Sequence, residues 1–144
     1  RDTSVTGVQT CALPIFMTQA VYRDMIKRGS GRIINITSQL AYKGAGELTH
    51  YSAAKGANTT FTRALALECA GTGVLVNAVA PGVTNTDLLT PLSDNLLDTL
   101  KAAIPLNRFA EVDEIAPAVA FLASPEGSFF HGSCISPNGG GGMF

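Results

Sequence analysis

The chain has 144 residues, a net charge of −1, and 46% hydrophobic against 15% charged residues. That length suits one domain with its own core, and so even a charge gives no support to nucleic-acid binding or a membrane-surface role. No apolar run reaches the ~18 residues that a membrane-spanning helix needs.

In chain order, residues 1–15 fit nothing that follows. Val5–Ile15 matches an in-frame translation of a common sequencing-adapter oligonucleotide. The expectation is a non-native leader over 1–15 joined to a partial domain over 16–144. A secretory signal competes with it, but the apolar run from Cys11 to Met17 is short and carries Pro14 at its centre. From Phe16 to about Arg28 the pattern predicts a helix, with Lys27 and Arg28 suiting its carboxyl end and Gly29-Ser30-Gly31 breaking it. Arg32–Thr37 reads as a buried β-branched strand ending at Ser38, and Gln39–Thr49 as a loop. His50–Ala70 reads as a second helix, capped by Thr49, stopped by Gly71 and Gly73, and carrying Phe61, Leu65 and Cys69 on a core-facing stripe. A second strand, Val74–Ala80, leads into a Pro81–Thr86 loop. A leucine-rich segment from Leu88 to Leu100 follows, then a helix over Glu111–Ala123 with Pro117 expected to kink it. Ser133–Ser136 makes a short last strand, which Pro137 assigns to an edge.

Cys11, Cys69 and Cys134 are widely spaced and lack a Cys-x-x-Cys pattern, so they read as reduced thiols of a cytoplasmic protein, not as a disulfide frame. His50 and His131 are isolated, and no metal site is expected. The chemistry concentrates in Tyr51 and Lys55, which stand four apart and therefore on one helix face. A phenol titrates near 10, and an ammonium about 4 Å away at an effective dielectric near 20 favours the phenolate by up to roughly 4 kcal/mol. Such a pair can act as a general acid or base near neutral pH. Ser38 adds a hydroxyl at a strand's carboxyl end, where ligands sit in open α/β sheets.

Gly31–Ser38, the Ser38-to-Tyr51 interval, Tyr51-Ser-Ala-Ala-Lys55, Val76-Asn-Ala-Val-Ala-Pro-Gly-Val83 and Thr86-Asp87 together resemble, in order, the motifs of the short-chain dehydrogenase/reductase family. The resemblance covers about residues 16 to 142. It implies an α/β fold with a Rossmann-like parallel sheet, truncated to its second half. It also implies an NAD or NADP cofactor and reversible hydride transfer between that cofactor and a carbonyl or secondary alcohol, with 3-oxoacyl thioesters as one substrate class. By this resemblance Tyr51 transfers the proton, Lys55 lowers its pK and holds the nicotinamide ribose, and Ser38 places the carbonyl. Pro81, Gly82 and Val83 would meet the nicotinamide carboxamide, with Thr86 near the phosphates. The leucine-rich segment becomes a substrate lid, although plain helix packing also explains its leucines. A homo-oligomer is expected on the same ground.

Three departures stand out. The family's glycine-rich phosphate loop has no counterpart after a strand here, and its active-site Asn would fall near Cys11. Asn138 also stands where the family usually has Asp before its terminal glycines. The alternatives are therefore an inactive fragment lacking the dinucleotide-binding half, poorly soluble because its first strand presents an open edge, or a dehydrogenase of small alcohols or sugars.

Overall fold

The computed structural model describes residues 7–144, so residues 1–6 of the expected leader lie outside the described residues. The first helix, α1, runs Gly7–Arg28, starting nine residues before the expected Phe16. Ala12 and Leu13 are good helix formers, and Pro14 inside the helix forgoes only its own backbone bond. Thr18 is buried, and Tyr22, Met25 and Ile26 pack on the core, which gives α1 one inward stripe at three- and fourfold spacing. Gly29 ends the helix with φ +68°, its N–H donating to the Ile26 carbonyl at 3.0 Å.

Three parallel strands follow in spatial order β1 (Gly31–Ile36), β2 (Val74–Val79) and β3 (Cys134–Ile135). The β1–β2 register pairs Gly31 with Val74 through to Ile36 with Val79. A Cβ at Gly73 would collide with the Gly29 carbonyl, so only glycine lets the two strands begin side by side. β2 is the central strand, and Val74, Val76, Ala78 and Val79 are all buried. Such continuous burial is what a parallel sheet covered on both faces demands of its middle strand.

Helix α3 (Thr49–Glu68) crosses from β1 to β2 and lays Ala54, Asn58, Thr62, Leu65 and Ala66 on the sheet. The expected stripe is present: Leu65 and Cys69 are buried, and Phe61 packs beside them. α1 packs against α3 and β1, while α5 (Val112–Ala123) touches β1 and β2 from the other face and buries Leu122 completely. α5 continues through Pro117, and Glu114 accepts the N–H of Glu111 at its start. His131 staples the layers from outside. Its Nδ1 accepts the Val76 N–H at 3.3 Å, and its Nε2 lies 2.7 Å from the Ala66 carbonyl.

Two local expectations need correction. The segment after Ser38 contains a short helix, α2 (Leu40–Lys43), because the Ser38 hydroxyl accepts the Leu40 N–H and the Gln39 carbonyl accepts those of Tyr42 and Lys43. Thr49 does not cap α3. It is the first residue of that helix, and Leu48 holds the cap position without a side-chain bond. The leucine-rich segment divides into a 3-10 turn at Asp87–Leu89 and helix α4 (Asp94–Ala102), with Ser93 capping the latter.

Candidate active site

The carboxyl ends of β1 and β2 meet at one place. Thr37 donates its N–H to the Val79 carbonyl at 2.7 Å, carrying β1 one residue past its last paired position. Ser38 follows and is buried, its Oγ accepting the Leu40 N–H at 3.2 Å. That bond uses a lone pair and leaves the hydroxyl proton available to a ligand oxygen. Gln39, only 3% exposed, donates its N–H to the Pro81 carbonyl at 3.1 Å and so fastens the Ser38 turn to the loop after β2.

α3 presents Tyr51 and Lys55 one turn apart to this corner. The Lys55 ammonium stands 5.7 Å from the centroid of the Tyr51 ring and donates to the Ile36 carbonyl at 2.9 Å. Lys55 therefore lies between the phenol and the backbone that carries Ser38. Burial alone lowers the Lys55 pKa from its usual value. Two of its three donors remain beyond the Ile36 bond.

The loop after β2 is held largely by protein groups. Gly82 donates its N–H to the Pro137 carbonyl at 3.0 Å, and its own carbonyl accepts the Thr84 hydroxyl at 3.2 Å. A Cβ on Gly82 would come within 2.7 Å of the Asn138 Cα. The close approach that Gly82 makes among the described residues is to the C-terminal tail. The Val83 carbonyl accepts the Ala110 N–H at 3.0 Å, whereas the half-buried Val83 N–H has no partner among the described residues. Thr86 is exposed, with its hydroxyl 3.5 Å from the Thr84 carbonyl. No hydrogen bond among the described residues joins Val83 or Thr86 to Ser38, Tyr51 or Lys55.

Residues that the motifs did not flag complete the corner. Asn58, one turn after Lys55, reaches the same Ile36 carbonyl at 3.5 Å, and its buried Oδ1 has no partner among the described residues. Its signal in sequence is only its spacing from Lys55. The tail closes the other side. Asn138 bonds Ser136 and the Gly142 carbonyl, Lys43 donates to the Gly141 carbonyl at 2.6 Å, and Phe144 stacks on Tyr42 with ring centroids 4.0 Å apart. Burial, followed by the Cys134 thiol, pushes the Tyr42 phenol up to about 12. Tyr42 stays protonated and is no candidate base.

A family model described as enoyl-(acyl carrier protein) reductase matches residues 5–141. The chain belongs to the short-chain dehydrogenase/reductase family. It is 41% identical over 134 residues to the 3-oxoacyl-[acyl-carrier-protein] reductase of Vibrio harveyi, covering 92% of this chain and 55% of that one. It is 44% identical over 140 residues to the acetoacetyl-CoA reductase of Shinella zoogloeoides, covering 96% and 56%. Among solved structures, a gluconate 5-dehydrogenase from Burkholderia cenocepacia J2315, in complex with NADP and tartrate, superposes with a TM-score of 0.85 at 35% identity. That likeness covers 88% of this chain and 51% of the dehydrogenase. The chain spans about half the length of the curated relatives it matches. The α/β fold is accordingly a Rossmann-like parallel sheet carrying the family's second half.

Proposed function

We propose that this chain is the catalytic segment of an NAD- or NADP-dependent reductase, with Ser38, Tyr51 and Lys55 as its working residues. The observation that carries the reading is the position of Lys55, one ammonium spanning the Tyr51 ring and the β1 backbone that delivers Ser38. Tyr51 gives its proton to the substrate oxygen as the carbonyl is reduced. Lys55 stabilises the negative charge that develops on the phenol. Ser38 donates its free hydroxyl proton to the same carbonyl oxygen and holds it in line. A bound nicotinamide supplies or accepts the hydride.

The fit to such a cofactor rests on the Val83 N–H, which has no partner among the described residues and suits a carboxamide oxygen. Gly82 supports the loop from behind. Thr86, exposed at the loop's end, is available to a phosphate. 3-Oxoacyl thioesters are the favoured substrates, since the relatives include a 3-oxoacyl carrier-protein reductase and an acetoacetyl-CoA reductase. Small sugars and alcohols are the second reading, favoured by the gluconate dehydrogenase likeness.

We further propose a cytoplasmic, homo-oligomeric parent protein. Cys69 and Cys134 are free thiols, and no helix among the described residues is long and apolar enough to cross a membrane. Residues 1–15 are proposed to be a non-native leader, and native codons for Val5–Ile15 at the source locus would overturn that.

The test is made on the longer chain encoded at that locus. Acetoacetyl-CoA should be reduced with loss of nicotinamide absorbance, and Tyr51→Phe should lower kcat roughly a hundredfold or more. Turnover unchanged by Tyr51→Phe sinks the assignment, and a gluconate-type substrate turned over in preference to the thioester selects the second reading. The 144-residue chain alone is expected not to bind the cofactor, and micromolar binding by calorimetry would refute that.

A further inference from the structure

A ring of hydrogen bonds runs from the Ser38 turn through the loop after β2 and the C-terminal tail, and back. Gln39 donates its N–H to the Pro81 carbonyl at 3.1 Å, and Gly82 donates its own to the Pro137 carbonyl at 3.0 Å. The tail returns to α2, where the Lys43 ammonium donates to the Gly141 carbonyl at 2.6 Å and the Lys43 N–H to the Gln39 carbonyl at 3.2 Å. Gln39 is enclosed: it is 3% exposed, and a Cβ on Gly141 would stand 2.9 Å from its Oε1. Asn138 closes the ring with its whole side-chain amide. Its amide protons go to the Ser136 hydroxyl oxygen at 2.8 Å and the Gly142 carbonyl at 2.7 Å, and its Oδ1 accepts the Gly140 N–H at 2.9 Å. Ser136 in turn donates to the Ala80 carbonyl at 2.7 Å, one residue before Pro81. The amide orientation is forced, because the Gly142 carbonyl needs a donor and the Gly140 N–H an acceptor.

We propose that Asn138 is a positioning residue, whose amide holds the loop after β2 and the Ser38 turn in one rigid frame and so fixes the Val83 N–H relative to the Ser38 hydroxyl. The inference rests on the catalytic reading above, in which Val83 meets the cofactor and Ser38 the substrate. Asn138 acts on both through the backbone. On one side it braces Ser136, which is bonded to Ala80; on the other it holds the tail that Lys43 ties to α2. A carboxylate of the same shape cannot do this. The group introduced by Asn138→Asp, when ionised, only accepts, so the Gly142 carbonyl loses its donor and faces a negative charge. Protonation returns one donor, and an apolar, half-buried setting favours that protonated form. Asn138→Asp should therefore approach wild-type behaviour as pH falls, which simple loss of packing does not produce.

The test uses the longer chain encoded at the source locus, with whichever of acetoacetyl-CoA and gluconate it turns over faster. Wild type, Asn138→Asp and Tyr51→Phe are compared at a temperature where circular dichroism shows each folded. Near neutral pH, Asn138→Asp should raise the KM for the nicotinamide cofactor roughly threefold or more and lower kcat roughly tenfold, both deficits shrinking as pH falls. Amide exchange should quicken at Gly82 and Gly141 together. Should Asn138→Asp fail to fold, Lys43→Met cuts the same ring through an exposed side chain, quickening the same two amides and lowering kcat roughly threefold. Wild-type constants in the folded variant overturn the inference. So does a pH-independent loss of kcat with unchanged KM in Asn138→Asp, or exchange quickened at Gly141 while Gly82 stays protected. Failure of the catalytic reading looks different: Tyr51→Phe then turns over like wild type, and the paired exchange of Gly82 and Gly141 still decides whether Asn138 couples loop and tail.

Discussion

The two edges of the sheet are finished in opposite ways. β3 is two residues long, ends at Pro137, and hands the chain to a tail that folds back over the loop after β2. Gly82 is bonded to Pro137, Asn138 ties Ser136 to Gly142, and nothing there invites a further strand. β1 runs six residues, and among the described residues its outer polar groups meet only Lys55 and Asn58. The contrast teaches that one edge is closed by the chain's own tail, whereas at the other the only partners among the described residues are side chains of α3. It also places the candidate site between a sealed edge and an open one.

The strongest way to break the comparison is to remove what both edges rest on. Leu122 is completely buried on α5, which packs beneath β1 and β2. Leu122→Ala should destabilise the chain by about 2–5 kcal/mol, read as a lower denaturation midpoint with the slope unchanged. Both edges should lose amide protection together.

Gly82→Ala attacks the sealed side alone. Its new Cβ would press on the Asn138 backbone, costing about 1–3 kcal/mol. The Gly140 and Gly141 amides, bonded to Asn138, should exchange faster while those of β1 facing β2 do not.

Titration separates the sides more gently. On the sealed side, hydrogen bonds from the Arg108 guanidinium, then the Glu111 N–H, hold the Glu114 carboxyl down at about 2. Its contribution is present above the ordinary carboxylate value of 4.5 and is lost as pH falls through about 2. Glu114→Gln should flatten that acid limb of the stability profile. On the open side, burial lowers the Lys55 pKa below 10.5, so the unfolded chain binds the extra proton. Wild-type stability relative to Lys55→Met should therefore rise with pH towards 10.5, the smallest effect of the set.

What could be read from the residues divides along similar lines. The two long strands were legible because Ile33, Ile34, Ile36, Val74, Val76 and Val79 are β-branched runs bounded by turn residues. The Tyr51 helix was legible from its spacing. α2 was not, because four residues carry no periodicity and that helix depends on Ser38 and Gln39. The contact of Gly82 with Asn138 was not legible, since the two are remote in sequence. Lys55 was rightly paired with Tyr51, but its bond to Ile36 exists only once α3 docks on β1. Contacts within one element could be read ahead, and those between elements could not.

The staple made by His131 has a consequence of its own. One ring nitrogen accepts from β2 while the other must donate to α3, so the clasp closes only on an uncharged imidazole. The seam between helix layer and sheet therefore hangs on a single ring that touches both.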